Sequence, residues 1–323
     1  LEKLGERFKA ERGASYFKAL EIAKQKGLPI EGVTKEGAYF SLKGVDSETG
    51  ELVYYQTYNN TTTNSSVQTA RTQHLYNGGS LGINVQGQNM ILGIWDGGQP
   101  QASHPNLGLE RTINKDGQQT TNAGQDGIDH ATHVGGTMIG NGSSQITARG
   151  LAFNGILWAN TWQDDLEEME EQALQGLLVS NHSYGIQNTS YINQPGIYGR
   201  YNADARDLDE LLFEAEKYQP VYAAGNDRTQ ITGAPPNTPL NPTKGGFDQM
   251  VNETVSKNGV VVGAINGFTS YPGASGVVMS VFSQWGPTDD FRIKPDISAK
   301  GVNIYSSTGT GIANYSVLSG TSM

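Results

Sequence analysis

The 323-residue chain contains no cysteine, which excludes disulfide bridges and thiolate catalysis and leaves the redox compartment open. Long apolar runs are also missing, and with a mean hydropathy of −0.46 no segment reads as a membrane span. Basic residues are in the minority: 22 Lys and Arg stand against 32 Asp and Glu, for a net charge of −10. No basic stripe runs through the sequence, so a nucleic-acid partner is excluded, and the acidic balance speaks to solubility rather than to partners. Glycine is what the chain has in quantity, 42 residues of it beside a hydrophobic fraction of 36%. That mixture suits a loop-rich α/β protein more than a helical bundle, and the length is ample for a large core.

Residues 1–57 differ in pattern from the rest of the chain. Phe8, Tyr16, Phe17, Leu20, Ile22 and Ala23 form a loosely helical apolar pattern among Lys, Glu and Ala, ended by Gly27-Leu28-Pro29. Ala38–Leu42 and Leu52–Tyr55 flank the turn-rich Asp46–Gly50 and predict a β-hairpin. Residues 58–66, rich in Asn, Thr and Ser, have the composition of a linker, and the main domain is expected over 67–323. There, apolar runs at 90–95, 156–159, 220–224, 260–264 and 277–282 alternate with helical spacing at 166–178 and 208–215. Continuous apolar strands between helices predict an α/β fold, with a mainly parallel central sheet covered by helices on both faces. Residues 227–258 read as a long surface loop. The acidic run Asp164–Glu171 reads as a solvated helix face rather than a calcium site.

In such sheets ligands bind beyond the carboxyl ends of the strands. Asp96 ends one apolar run and Asn226 closely follows another, in Ala223-Ala224-Gly225-Asn226. Asn181-His182-Ser183-Tyr184-Gly185 follows a third. His130 lies in the Gly-rich segment Asp129–Thr137, which reads as a turn, and Ser322 lies in Gly320-Thr321-Ser322-Met323. Serine is a poor nucleophile until a base takes its proton, histidine is the base best matched to neutral pH, and a buried carboxylate fixes the imidazole tautomer. A side-chain amide can hold the oxyanion that forms on the attacked carbonyl. Ser322, His130, Asp96 and Asn226 supply those four groups. A metal site using His130 and His133 with Asp126 or Asp129 is a weaker alternative for the same residues.

These segments resemble the subtilisin-like (S8) serine protease family, in the family's order of Asp, His, oxyanion Asn and Ser. The resemblance runs from about Gln88 to Met323 and includes Ser103-His104-Pro105-Asn106-Leu107 after the aspartate. It implies catalytic roles for Asp96, His130, Ser322 and Asn226. It also implies that Ser183, Tyr184 and Gly185 bind substrate as an added strand, and that Ala223, Ala224 and Gly225 line the pocket beside the scissile bond. A protein or peptide is the implied substrate. The chemistry requires no cofactor, and structural calcium is a family expectation with no residues assigned. Secretion is expected on the same ground.

Some residues depart from the family pattern. Gly97 stands where a Ser or Thr is usual, removing a hydroxyl near Asp96, and Ala131 replaces a glycine after the histidine. Phe153 takes the place of a usual proline. The sequence ends one residue after Ser322, so the expectation is a catalytic domain lacking its C-terminal part, as a fragment, a truncated sequence or one piece of a cleaved chain with an associated C-terminal fragment, and with little or no activity by itself. Residues 1–57 are the right kind of element for a partial pro-segment. Set against a serine endopeptidase, the alternative is a catalytically silent peptide-binding module or an inactive fragment on the same fold. An α/β-hydrolase is a poorer match, because its triad runs Ser, Asp, His along the chain.

Overall fold

The structure is a computed structural model. It describes residues 2–33, 39–45, 52–56, 62–117, 124–162, 164–185, 195–229 and 240–323. The chain divides into two compact units, Leu1–Thr61 and Thr62–Met323.

In the first unit, α1 (Glu2–Lys26) precedes a three-stranded antiparallel sheet, β1 (Glu31–Val33), β2 (Tyr39–Val45) and β3 (Leu52–Gln56), in that order. Gly27 ends the helix at φ 62°, and the Leu28 N–H reaches back to the Ala23 carbonyl. This is the left-handed stop that only glycine adopts freely. Ala19 and Ala23 bury against Leu42, and Ser15 exchanges two hydrogen bonds with the Val45 backbone. β2 and β3 are the strands expected on either side of Asp46–Gly50; those turn residues and Ala38 lie outside the described residues. β1 carries no sequence signal, since three residues give no periodicity to read.

The second unit is built on a seven-stranded sheet in which every neighbouring pair is parallel. Its strands are β4 (Ile91–Asp96), β5 (Thr112–Asn114), β6 (Ile156–Thr161), β7 (Val179–His182), β8 (Gln219–Ala223), β9 (Val260–Ile265) and β10 (Ile297–Lys300), in spatial order β10-β9-β8-β7-β4-β6-β5. Both faces are covered, as adjacent residues of β4 show. Trp95 packs with Met169 of α4 (Asp165–Leu174), with Leu208 of α5 (Ala203–Glu214), and with Tyr222 and Val261. Ile94 points the other way, into a cluster with Leu107, Leu157, and Val134 and Ile139 of α3 (Gly124–Ile139). Alternate strand residues face opposite sides, so two separate apolar clusters mean helices on two sides. Among the described residues no helix is long and apolar enough to cross a membrane.

Three expectations need correction. Residues 277–282 are not a strand: only Met279 makes an isolated bridge, to Ile265, while Val278 and Val281 are exposed. A run of valines without a neighbouring edge to pair with has no ladder to join. Of residues 227–258, 230–239 lie outside the described residues, and 240–258 are not a surface loop, since Leu240, Asn241, Gln249, Met250, Val255 and Ser256 are all buried. Side chains replace ladder bonds there: Asn241 donates to the Asp248 carbonyl and Gln249 to the Leu240 carbonyl. His130 is not in a turn but on α3. The glycines of that helix serve packing, as a Cβ on Gly136 would lie 2.5 Å from Ser306 Oγ and 2.6 Å from Ser307 Oγ on β11 (Ile304–Thr308).

β11 pairs with β12 (Asn314–Leu318) as an antiparallel hairpin that leads into Ser319–Met323. Residues 62–69 form α2 (Thr62–Thr69), whose first five residues belong to the 58–66 stretch that reads as linker. Their Thr- and Ser-rich sequence is a poor helix former. The helix is held at its end by Thr69, whose Oγ1 donates to the Phe268 carbonyl and accepts from the Phe268 N–H.

Candidate active site

β4 is the strand where the order reverses: the chain leaves it for β5 and β6 on one side and then for β7 through β10 on the other. A crevice opens beyond the carboxyl ends of the strands at such a point. Asp96, the last residue of β4, is 1% exposed there. Its Oδ1 accepts from its neighbour's N–H, Gly97, at 2.6 Å and from His130 Nδ1 at 2.7 Å. Its Oδ2 has no protein partner among the described residues, as the missing hydroxyl at position 97 would suggest.

The helix carrying His130 is fixed from several sides. Thr132 Oγ1 donates to the Ile128 carbonyl and accepts from the Gln101 N–H, tying α3 to the loop after Asp96. His133, one turn beyond His130, is fully buried and bonds through Nε2 to the Ile304 carbonyl. Ala131 is also fully buried, so the extra methyl faces the core and not the cleft. The Ser103–Leu107 stretch clamps the same loop: buried His104 donates to the Asn314 carbonyl, and Asn106 bonds to Ala148 and Ser307.

Burial is the largest influence on both members of the Asp96–His130 pair. It pushes the Asp96 carboxyl above its ordinary value, with the contacts to His130 and Gly97 pulling back. Burial alone would lower His130, but the hydrogen bond and charge of Asp96 outweigh it and its pKa is raised. With Nδ1–H donated to Asp96, Nε2 carries the free lone pair, the arrangement required of a general base.

The other predicted residues meet at one cavity of about 230 Å³, whose lining includes Ser183, Tyr184, Gly185, Ala223, Ala224, Gly225, Asn226 and Ser322. Asn226 Oδ1 accepts from the Thr321 N–H at 2.9 Å and from Thr321 Oγ1 at 2.9 Å. A backbone N–H can only donate, so the carbonyl end of the amide faces Thr321 and the NH₂ end is left to donate elsewhere. Gly225 sits at φ 103°, and a Cβ there would strike the Gln284 side chain, so no other residue fits. Ser322 Oγ donates to the Ser183 carbonyl at 3.4 Å, while Ser183 Oγ donates to the Ser322 carbonyl at 3.1 Å. Asp96 and His130 are thus joined directly, and so are Ser183, Ser322, Thr321 and Asn226 through their own bonds. No hydrogen bond links Ser322 to His130.

The geometry agrees with a match along the sequence: residues 87–323 fit the family model described as the subtilase family, which covers most of the chain. The chain belongs to the subtilase family. Solved structures resembling this subtilase include the S41 psychrophilic protease, with a TM-score of 0.51, 20% identity, and 78% of each chain covered. The Clostridium perfringens CspB protease aligns with a TM-score of 0.54 and 13% identity over 79% of this chain and 84% of the other. At such identities these two speak to the fold. In sequence, the subtilase is similar to the C5a peptidase of Streptococcus pyogenes, at 54% identity over 52 residues. Those residues are 16% of this chain and only 4% of that protein's length.

Several site features carry no signal in the sequence. Asn252, Glu253, Thr254 and Gln284 also line the cavity. Three of them lie in the stretch that reads as surface loop, and no local pattern marks a loop that turns inward. One Gly-x-Ser-x-Gly stretch does occur, Gly78–Gly82. Its Ser80 is on an exposed turn before β4, bonded to His74 Nδ1, and not at a strand-to-helix elbow. For the metal alternative, His130 and His133 bond to different partners, and among the described residues no three His, Asp or Glu side chains gather to hold an ion.

Proposed function

We propose that this subtilase is a serine endopeptidase that hydrolyses peptide bonds through an acyl-enzyme on Ser322. The 2.7 Å contact between His130 and the buried Asp96, at the switch point of the sheet, carries the reading. His130 Nε2 takes the Ser322 proton as Oγ attacks the substrate carbonyl, and returns it to the leaving amine. Water then attacks the ester by the same route, with His130 again as base. Asp96 holds the imidazole in the tautomer that leaves Nε2 bare and stabilises the imidazolium. The Asn226 NH₂, which has no hydrogen-bond partner among the described residues, and the Ser322 N–H hold the oxyanion. Backbone at Ser183–Gly185 takes the substrate as an added strand, and Ala223, Ala224 and Gly225 give its side chain room beside the scissile bond. This chemistry needs no cofactor, calcium would be structural only, and the expected place of action is extracellular.

One observation favours the second reading, a silent peptide-binding module: the Ser322 hydroxyl is bonded to Ser183 instead of His130. Turnover requires it to exchange that partner for Nε2. A fluorophosphonate probe separates the two readings. Stoichiometric labelling at Ser322, shown by peptide mapping and abolished in Ser322→Ala, is expected of the peptidase. A folded chain that binds peptides but takes no label would establish the silent module.

A further inference from the structure

The cavity lined by Asn226 and Ser322 also has a carboxylic acid, Glu253, on its lining. We infer that Glu253 makes this cavity a receptor for a cationic side chain, so that the chain selects lysine or arginine at the residue whose carbonyl is attacked. The inference rests on the peptidase reading and adds the substrate class to it.

Beside the Tyr184 phenol, two ionisable side chains line the cavity, Asp227 and Glu253, and both are carboxylic acids. Arg228, next in sequence, is directed away: its guanidinium donates to the Ser280 and Val281 carbonyls and lies over the Trp285 ring. Among the described residues no Lys or Arg forms an ion pair with Glu253. A desolvated carboxylate without a cation is costly, and burial, with Asp165 and Asp204 nearby, pushes Glu253 up to about 7. Acidic groups continue behind the cavity. Asp165 accepts from the Tyr184 hydroxyl at 2.6 Å and Asp204 accepts from Asn252 Nδ2 at 2.7 Å, and Tyr184 and Asn252 both line the cavity. Size points the same way. A water's share of liquid volume is about 30 Å³, so a space of about 230 Å³ takes a long side chain with room beyond a methyl. Its small residues, Ala223, Ala224 and Gly225, leave the way open, and the carboxylate is the group that would complement a charged tip. An ion held by carboxylates alone is not favoured, as no three acidic side chains converge among the described residues.

The test uses one peptide in four versions, with Arg, Lys, norleucine or Glu before the scissile bond. Hydrolysis is measured with the unmodified chain and binding with its Ser322→Ala form. Arg and Lys peptides should exceed norleucine at least tenfold in kcat/KM, with Glu lowest. In Glu253→Gln the Arg-to-norleucine ratio should collapse to within about threefold, and in Glu253→Asp it should be partly retained. A ratio does not depend on how much of a variant has folded. Cleavage of norleucine and Arg peptides at equal rates, or an Arg preference that survives Glu253→Gln, would overturn the inference and leave the peptidase reading intact. Selective binding of the Arg peptide without any hydrolysis would do the reverse.

Discussion

Two imidazoles near the same sheet edge, one partly exposed and one fully buried, behave in opposite ways. His130, above the end of β4, meets the carboxylate of Asp96, and its pKa is raised. His182, the last residue of β7, is fully buried between the rings of Trp95 and Tyr222, at centroid distances of 5.1 and 4.5 Å. Its nitrogens meet only hydroxyls, those of Ser180 and Tyr184, and burial pushes it down to about 3. His182 has lost all contact with water, whereas His130 keeps part of its surface open and gains a carboxylate partner. Full burial without a charged partner lowers one imidazole, and the carboxylate raises the other.

Replacing that carboxylate should erase the contrast. Asp96→Asn keeps the shape but removes the charge and the acceptor that sets the tautomer, and kcat should fall by about 10⁴, with KM changed far less, in a steady-state peptidase assay. A loss of less than tenfold would mean that Asp96 does not orient His130. The pH profile sharpens the same point. His130 must be neutral to accept a proton and its pKa is raised, so kcat/KM should decline on the acid side with an apparent pKa above 6.5, a value that belongs to the pair with Asp96. An acid limb centred below 6 would contradict the pairing.

The smallest effect is expected at the other imidazole. His182 is neutral in the folded state, whereas the unfolded chain takes up a proton below about 6.5. Its contribution is therefore complete above that pH and is lost as the pH falls toward 3, and His133, lowered to about 4, tilts stability in the same direction. His182→Phe removes two hydrogen bonds but leaves Ser180 bonded to Tyr218 and Tyr184 bonded to Asp165. Urea unfolding should show a loss of about 1–3 kcal/mol at pH 7 and a shallower decline toward pH 4 than in the unsubstituted chain. An unchanged slope would show that His182 is not the group that titrates.

Four of the sheet's seven strands were legible because they coincide with short apolar runs. β4, β6, β8 and β9 begin or end within two residues of where their runs do. Asp96 and Asn226 could be placed beyond strand ends for the same reason. His130 and the cavity wall were harder to read. Glycines at 135 and 136 look like a turn until the strand packed against α3 is known. Asn252 and Glu253 are polar residues in a segment with no period, and what buries them is the tertiary course of the chain, to which local sequence is blind. The valines at 277–282 failed for the complementary reason, being apolar without a partner strand.

The proposed centre draws on residues far apart along the chain, and that spacing sets an order in time. Asp96 and His130 are 34 residues apart, but Ser322 follows Asp96 by 226. At a synthesis rate of about 5–20 residues per second, roughly 11–45 seconds pass between the two. For the last 192 residues of that interval, from His130 to Ser322, a nascent chain holds the proposed base and its carboxylate but not the proposed nucleophile, so it cannot cut itself or its neighbours before Ser322 is made.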